Sequence, residues 1–195
     1  MKRIIDIIAS TIGIILLLPL FIIIYLIIVL ESRGGGFYKQ VRVGKNDKDF
    51  GLLKFRTMRS GSDKKGLLTV GGRDPRITRT GYYLRKYKLD ELPQLFNVLI
   101  GEMSLVGPRP EVRKYVDLYN EKQKKVLQIK PGITDYASIE FSNENDILGR
   151  AENPEKIYIE EIMPKKLELN LKYISEQSML TDLKIILRTI IKIVS

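Results

Sequence analysis

Residues 4–30 read IIDIIASTIGIILLLPLFIIIYLIIVL, an apolar run broken only by Asp6, Ser10, Thr11, Gly13, Pro19 and Tyr25. As a straight helix the run would reach roughly 40 Å at ~1.5 Å per residue, more than the ~30 Å hydrocarbon core of a bilayer. It is too long for the apolar part of a signal peptide, and no small-residue cleavage site follows it. The pattern predicts a helix inserted in a membrane. Pro19 lies past its middle, where the ring removes one intrahelical hydrogen bond and crowds the preceding turn, so a kink is expected. Basic residues flank both ends: Lys2 and Arg3 before, then Arg33, Lys39, Arg42, Lys45 and Lys48 after. Basic flanks prefer the cytoplasmic side. Two readings stay open at this level. A tilted single-pass anchor puts one basic group outside, whereas a helix that bends at Pro19 and returns keeps both inside but must satisfy its freed carbonyls in lipid.

Beyond the run the composition changes to charged and basic, which divides the chain into a membrane helix over 1–33 and a membrane-associated domain over 34–195. Phe37 to Val43 (FYKQVRV) alternates like a strand, and Phe50 to Met58 (FGLLKFRTM) returns as its hairpin partner after a turn over Gly44 to Asp49. Ser60 to Gly72, rich in Gly, Ser and Lys, reads as a mobile loop. Helical spacing is expected over Thr80 to Lys88, again from Leu89 to Gly101, over most of Glu111 to Ile129, and over 154–175. Ser104 to Pro110 (SLVGPRP) is a stiff extended connection, and Ile133 to Phe141 is read as extended. In the last segment Met179, Leu180, Leu183, Ile186, Leu187, Ile190, Ile191 and Val194 recur at helical intervals, with Lys184, Arg188 and Lys192 on another face. Such a helix either docks on a core or lies in the interface of an anionic leaflet. The fold class is α+β, mostly helical: a bent apolar helix, a short β-hairpin and amphipathic helices.

The chain has no Cys and no His, which excludes thiol nucleophiles, Ser-His relays, disulfides and the usual zinc sites. Covalent or acid–base chemistry must then rest on carboxylates, Lys, Tyr or Ser/Thr. A formal charge of +10 suits an anionic partner, although a solvated basic surface explains a bare excess equally well. No nucleic-acid motif is present, so nucleic acid is not expected as that partner.

Asp90 and Glu91 stand at a predicted helix start, where free N–H groups and the dipole favour ionised carboxylates. In isolation such a pair is ordinary capping. Here basic residues surround it in sequence: Lys54 and Arg56 on one strand face, Arg85 five residues before Asp90, and Arg109 held between Pro108 and Pro110. Arginine's planar fork suits phosphate oxygens, and a restrained backbone lowers the entropy lost on binding. An ionised Asp90 is a fit nucleophile for phosphoryl chemistry, and Glu91 a fit ligand for Mg²⁺, which binds through one or two carboxylates plus substrate phosphates. Salt bridges to Glu102 or Glu111 are the plainer use of any one of these cations.

The blocks Lys54–Met58 (KFRTM), Leu89–Asn97 (LDELPQLFN), Met103–Pro110 (MSLVGPRP) and Pro131–Thr134 (PGIT), with the region around Asp182–Ile185, resemble the bacterial sugar transferases, the monotopic phosphoglycosyl transferases. The resemblance covers nearly the whole chain. It implies that Asp90 attacks the sugar-bearing phosphate of a UDP-sugar, releasing UMP, and that a polyprenyl phosphate, typically undecaprenyl phosphate, then takes the phosphosugar. It implies Mg²⁺ on Glu91, phosphate or supporting roles for Lys54, Arg85, Arg109 and, less directly, Arg56. It also implies a re-entrant helix bent at Pro19, and a monotopic enzyme of the bacterial inner membrane facing the cytoplasm. A homo-oligomer is left open. Three positions depart from the family pattern: Leu18 stands where many members have Ser, Glu102 where Asp is usual, and Asp135 to Asn145 (DYASIEFSNEN) replaces a commoner Gly-Trp-Ala-Gln version. A non-catalytic, membrane-tethered basic binding protein and a metal-dependent nucleotide-sugar hydrolase are the competing readings.

Overall fold

The computed structural model describes residues 1–62 and 74–194; most of the loop expected over 60–72 lies outside the described residues. The apolar run forms one long helix, α1 (Lys2–Glu31), with Pro19 inside it and helix continuing on both sides. Its most apolar window is only 17% buried, and large side chains such as Ile4, Ile15, Leu16, Ile22, Leu26 and Leu30 stand exposed. So continuous an apolar surface points to membrane association.

One flank of α1 is different. Phe21, Ile24 and Ile28 pack with Phe55 and Leu84 in a buried cluster, and Phe21 meets Phe55 edge to face at 5.6 Å between ring centroids. Polar tethers hold both ends of the helix to the same body. At the N-terminal end Arg3 donates to the carbonyls of Val98 and Leu99, the latter at 2.8 Å, while buried Asp6 accepts from Ser104 Oγ and Leu105 N, each at 3.1 Å. At the other end Glu31 accepts from the backbone N–H groups of Arg79 and Thr80, the first at 2.9 Å.

The hairpin is formed as expected, by β1 (Phe37–Val43) and β2 (Asp49–Phe55), paired antiparallel with Tyr38 opposite Lys54 and Gln40 opposite Leu52. Helix α2 (Arg79–Lys86) starts on a Thr78 cap. Sequence spacing predicts one helix from Leu89, but the structure separates a single 3-10 turn, Leu89–Glu91, from α3 (Gln94–Ile100). Two local causes frame this turn: Lys88, left-handed at φ 56°, cuts it off from α2, and Pro93 has no N–H to donate back toward Leu89, so the hydrogen-bond ladder is interrupted before α3 begins. Gly101, at φ 94°, ends α3 as predicted. Buried Asn97 ties α3 to β2, accepting from Leu53 N at 2.9 Å and donating to Gly51 O at 2.8 Å. Glu102 accepts from the same amide at 2.7 Å, a local bond that keeps it away from the arginines.

Strand β3 (Ser104–Val106) pairs in parallel with β4 (Gly132–Thr134). The two strands close tightly past their glycines: a Cβ on Gly132 would stand 2.1 Å from Gly107 N. Two expectations fail in this half of the chain. Residues 111–129 are not one helix but α4 (Arg113–Val116) and a 3-10 segment, Gln123–Gln128. The extended stretch stops at Thr134, because Asp135 caps a new helix, α5 (Tyr136–Glu140), by accepting from Ser138 N at 2.6 Å. Helices α6 (Glu144–Gly149), α7 (Pro154–Ile157) and α8 (Met163–Ser175) follow, the last two joined through a π-helical turn over Tyr158–Ile162. Helix α9 (Met179–Val194) buries Ile185 and leaves Leu180, Leu183, Leu187, Ile190 and Ile191 exposed. It docks and still keeps an apolar face.

Gly132→Ala is expected to destabilise the fold by at least about 2 kcal/mol, since the clash is with backbone and not with a yielding side chain. Thermal unfolding of the purified chain in detergent measures this; an unchanged midpoint contradicts the close β3–β4 approach.

Candidate active site

Three of the elements just described converge on the Asp90–Glu91 turn. Strand β2 brings Lys54, α2 brings Arg85, and the segment after β3 brings Arg109. The last is aimed by its surroundings: Gly107 N donates to Thr134 O at 3.1 Å, Gly132 N donates to Pro108 O at 3.0 Å, and Arg109's own N–H donates to Asp135 Oδ2 at 3.1 Å. Asp135 is wholly buried. No local pattern in 135–145 marks a role for Asp135, which fixes the backbone that carries Arg109.

The two adjacent carboxylates are treated unequally. Glu91 is gripped by both nitrogens of the Arg109 fork, Nη1 reaching Oε2 at 3.0 Å and Nη2 reaching Oε1, while Lys54 Nζ stands 3.3 Å from Oε1. Asp90 is buried, lines a cavity of about 460 Å³ and, among the described residues, forms no ion pair. Lys54 and Arg85 line the same cavity and attract it. Burial pushes the Asp90 carboxyl above its ordinary range, and the negative Glu91 next to it adds to the rise; Lys54 and Arg85 offset part of it. Burial pushes Glu91 the same way, but the charges of Arg109 and Lys54 overrule it and hold Glu91 well below the usual range. The helix dipole expected to favour both ionised forms is therefore not the deciding influence. Lys54 is itself lowered by burial, with Glu91 opposing.

Arg56 is placed differently from its strand neighbour Lys54. Its guanidinium also borders the cavity, yet its nitrogens are taken up by carbonyls at the end of α1: Arg33 O, Ser32 O at 2.8 Å, and Ile28 and Gly34 O at 3.4 Å. It clamps the membrane helix to the hairpin. Glu111, the other plain partner for a site cation, pairs with Arg42 at 2.9 Å and with none of the four predicted residues. Tyr38, Gln40, Arg42, Arg59 and Arg76 also line the cavity and were not singled out in the sequence. The first three were findable, because strict alternation in FYKQVRV puts them on one face. Arg76 comes from a turn, held by Asp74 at 2.9 Å, and no periodicity marks it.

Carboxylate oxygens are the donors a hard cation takes. Glu91 Oε1 accepts from two cations, whereas Oε2 accepts from one and so keeps more acceptor capacity. Among the described residues no cluster of three or more possible ligands exists, so a cation here would draw its remaining ligands from phosphate and water, as Mg²⁺ does.

A cavity lined by cations, with one carboxylate that is ion-paired and one that is not among the described residues, joined to an apolar helix, defines a membrane-associated site for anionic substrates. The bacterial sugar transferase family matches the whole chain, residues 1–195, and the protein belongs to it. The chain is 41% identical over 174 residues to "Uncharacterized sugar transferase EpsL" of Bacillus subtilis (strain 168), covering 88% of this chain and 77% of that protein. It is 38% identical over 192 residues to a UDP-N-acetylgalactosamine-undecaprenyl-phosphate N-acetylgalactosaminephosphotransferase of Aeromonas hydrophila, and 36% identical over 199 residues to a UDP-glucose:undecaprenyl-phosphate glucose-1-phosphate transferase of Escherichia coli (strain K12). These alignments cover 97% and 98% of this chain but only 42% and 40% of the two relatives.

Two stability measurements check the unequal carboxylates. Asp90 binds its proton more tightly folded than unfolded, so its contribution to stability is full at low pH and lost as pH rises through the folded value. Asp90→Asn should therefore raise the unfolding midpoint at pH 7, with the gain shrinking on acidification. Glu91 has the opposite sign: its contribution is present at neutral pH and lost as pH falls through its depressed folded value. Glu91→Gln strands Arg109 and Lys54 and should cost about 2–3 kcal/mol at pH 7.

Proposed function

We propose that the protein is a phosphoglycosyl transferase that moves a phosphosugar from a UDP-sugar to a polyprenyl phosphate, through a covalent intermediate on Asp90. The observation that carries this reading is the division between the two carboxylates. Glu91, already paired, anchors the cations; Asp90, which lines the cavity and forms no ion pair among the described residues, is the group able to react. Its raised pKa makes the ionised form a stronger nucleophile than an ordinary aspartate, at the expense of the fraction ionised. The names of the Aeromonas and Escherichia relatives support UDP-sugar as donor and undecaprenyl phosphate as acceptor.

In the first step an Asp90 carboxylate oxygen bonds to the sugar-bearing phosphorus and the bond from that phosphorus to the bridging oxygen breaks, so UMP leaves with the electron pair. In the second step a phosphate oxygen of the polyprenyl phosphate bonds to the same phosphorus and displaces Asp90, which regains its carboxylate. Lys54 and Arg85 neutralise the phosphates as they approach the acid. Arg109 keeps Glu91 in place and lends it a counter-charge. Mg²⁺, when bound, would supply charge neutralisation of the diphosphate from the Asp90–Glu91 edge.

The cavity extends to Gly35, just past the end of α1, and to Ser60, which bonds Arg56 there. A lipid phosphate at the bilayer surface therefore has a short route to Asp90. Both ends of α1 are tethered to one body, Arg3 and Asp6 at one end and Glu31 at the other. That supports a re-entrant helix over 1–33, turning at Pro19, with the domain over 34–195 at the inner face of a bacterial cytoplasmic membrane. A spanning helix would place one tethered end across the bilayer from its partners.

With UDP-sugar and Mg²⁺ but no lipid acceptor, the wild-type chain should release about one UMP per active site and gain the mass of a phosphosugar on Asp90. Asp90→Asn should lower UMP release by at least about 10³-fold, and chelation of divalent cations should suppress it in the wild type. Steady UMP production without acceptor would instead identify a nucleotide-sugar hydrolase; no UMP release from any UDP-sugar would leave a binding protein. For topology, single cysteines replacing Lys2 and Arg33 should both resist a membrane-impermeant thiol reagent added outside intact cells, and labelling of either overturns the re-entrant arrangement.

A further inference from the structure

We propose that Gln40 reads the nucleotide-sugar: its side-chain N–H donates to an acceptor oxygen on the part of the donor that extends away from the membrane helix. This rests on the transferase reading above. Tyr38, Gln40 and Arg42 share one face of β1 and all border the cavity. Tyr38 lies opposite Lys54, at the level of the phosphate-attracting charges, and Gln40 lies opposite Leu52. Two residues along a strand is about 7 Å. Gln40 is therefore too far along β1 to serve the reacting phosphate but well placed for a group attached to the diphosphate. It also lies toward the hairpin turn, the opposite direction from Gly35 and the end of α1.

The orientation of the Gln40 amide follows from its neighbour. Arg42 Nη2 donates to Gln40 Oε1 at 3.0 Å, and an arginine has no acceptor to offer. The amide atom facing Arg42 must be oxygen, so the NH₂ group faces the other way. Among the described residues that Nε2 donates to no group, and it is not among the sealed, partnerless polar atoms of the interior. Flipping the amide would set its N–H groups against the guanidinium, a mismatch that leaves buried donors unpaired.

Arg42 is fixed in turn. Its Nη1 donates to Glu111 Oε1 at 2.9 Å and to Pro110 O at 3.2 Å. Glu111 also accepts from Val112 N at 2.8 Å and from the Tyr158 hydroxyl. Burial raises the Glu111 carboxyl, but Arg42, Lys166 and these bonds outweigh it and keep the group ionised below its ordinary range. The support is thus rigid and charged at working pH. It is built on Pro110, beside Arg109, so the reading amide and the Arg109–Glu91 anchor are referenced to one loop.

Gln40→Glu keeps the oxygen that Arg42 holds and removes the outward NH₂ but adds a negative charge, so Gln40→Met, which removes the donor without adding charge, is measured beside it and must show the same KM effect. With detergent-purified full-length protein, KM and kcat for UMP release across a panel of UDP-sugars are measured beside calorimetric binding of UMP and of the same UDP-sugars. The expected result is a KM raised about 10- to 100-fold with kcat much less affected, an unchanged unfolding midpoint, and weaker UDP-sugar binding. If the acceptor oxygen is on the nucleoside, UMP binding falls in parallel; if it is on the sugar, UMP binding is unchanged and the loss varies among sugars. Wild-type kinetics and binding in Gln40→Glu overturn the role of Gln40 alone. A wild-type chain that neither binds nor cleaves any of the panel overturns the transferase reading, and the role of Gln40 falls with it.

Discussion

The polar contacts between α1 and the rest of the chain are the constraint on which the site depends. Each element that brings a site residue is fastened to this helix by a hydrogen bond, half-buried or buried at Arg3, Asp6 and Arg56 and exposed at Glu31. Glu31 holds the start of α2, which carries Arg85. The carbonyls at the end of the helix hold Arg56, next to the strand that carries Lys54. Arg3 satisfies the last carbonyls of α3, and Asp6 holds β3, from which the chain runs on to Arg109. These contacts lie at the ends of a helix whose middle is apolar. Where they are withdrawn from water, as at Asp6, a hydrogen bond to a charged group contributes more than at an open surface.

The second theme is asymmetry between neighbours of like chemistry. Asp90 and Glu91 are both carboxylates in one 3-10 turn, yet Arg109 and Lys54 pull one strongly down while burial and its neighbour's charge push the other up. Lys54 and Arg56 are cations two positions apart, yet one meets the site and the other the helix end. In each case the backbone places the pair side by side and the third partner decides the role. Local sequence cannot supply that third partner, because it arrives from residues far away in the chain.

That is also where the sequence stopped being readable. Period-two alternation gave the hairpin, a solid apolar run gave α1, and glycine marked the end of α3, since each signal is local. The Asp90–Glu91 turn was located but its geometry was not, because the left-handed Lys88 leaves no mark in composition. The extended reading beyond Thr134 failed on one side chain: Asp135 both caps α5 and takes the Arg109 N–H, a double use set by the parallel pairing of β3 with β4. Most of the cluster Lys54, Arg85, Arg109 and Glu91 could be named from arginine chemistry and family resemblance. That Arg56 belongs to the helix clamp could not, because the carbonyls it meets are indistinguishable in sequence from any others.

Lys2 pairs with Asp182, which also accepts from the hydroxyl of Tyr173 at 2.7 Å. The contact joins α1 to α8 and α9 across most of the chain. Closing so long a loop is entropically slow, so it belongs late in folding, after local helices and the hairpin have formed. The apolar helix is synthesised before the elements it binds, all of which follow it in the chain. Arg3 and Asp6 find their partners once α3 and β3 follow, whereas Lys2 has none until α9 is made. The order of synthesis thus has the apolar helix formed first and the elements of the site gathered against it afterwards.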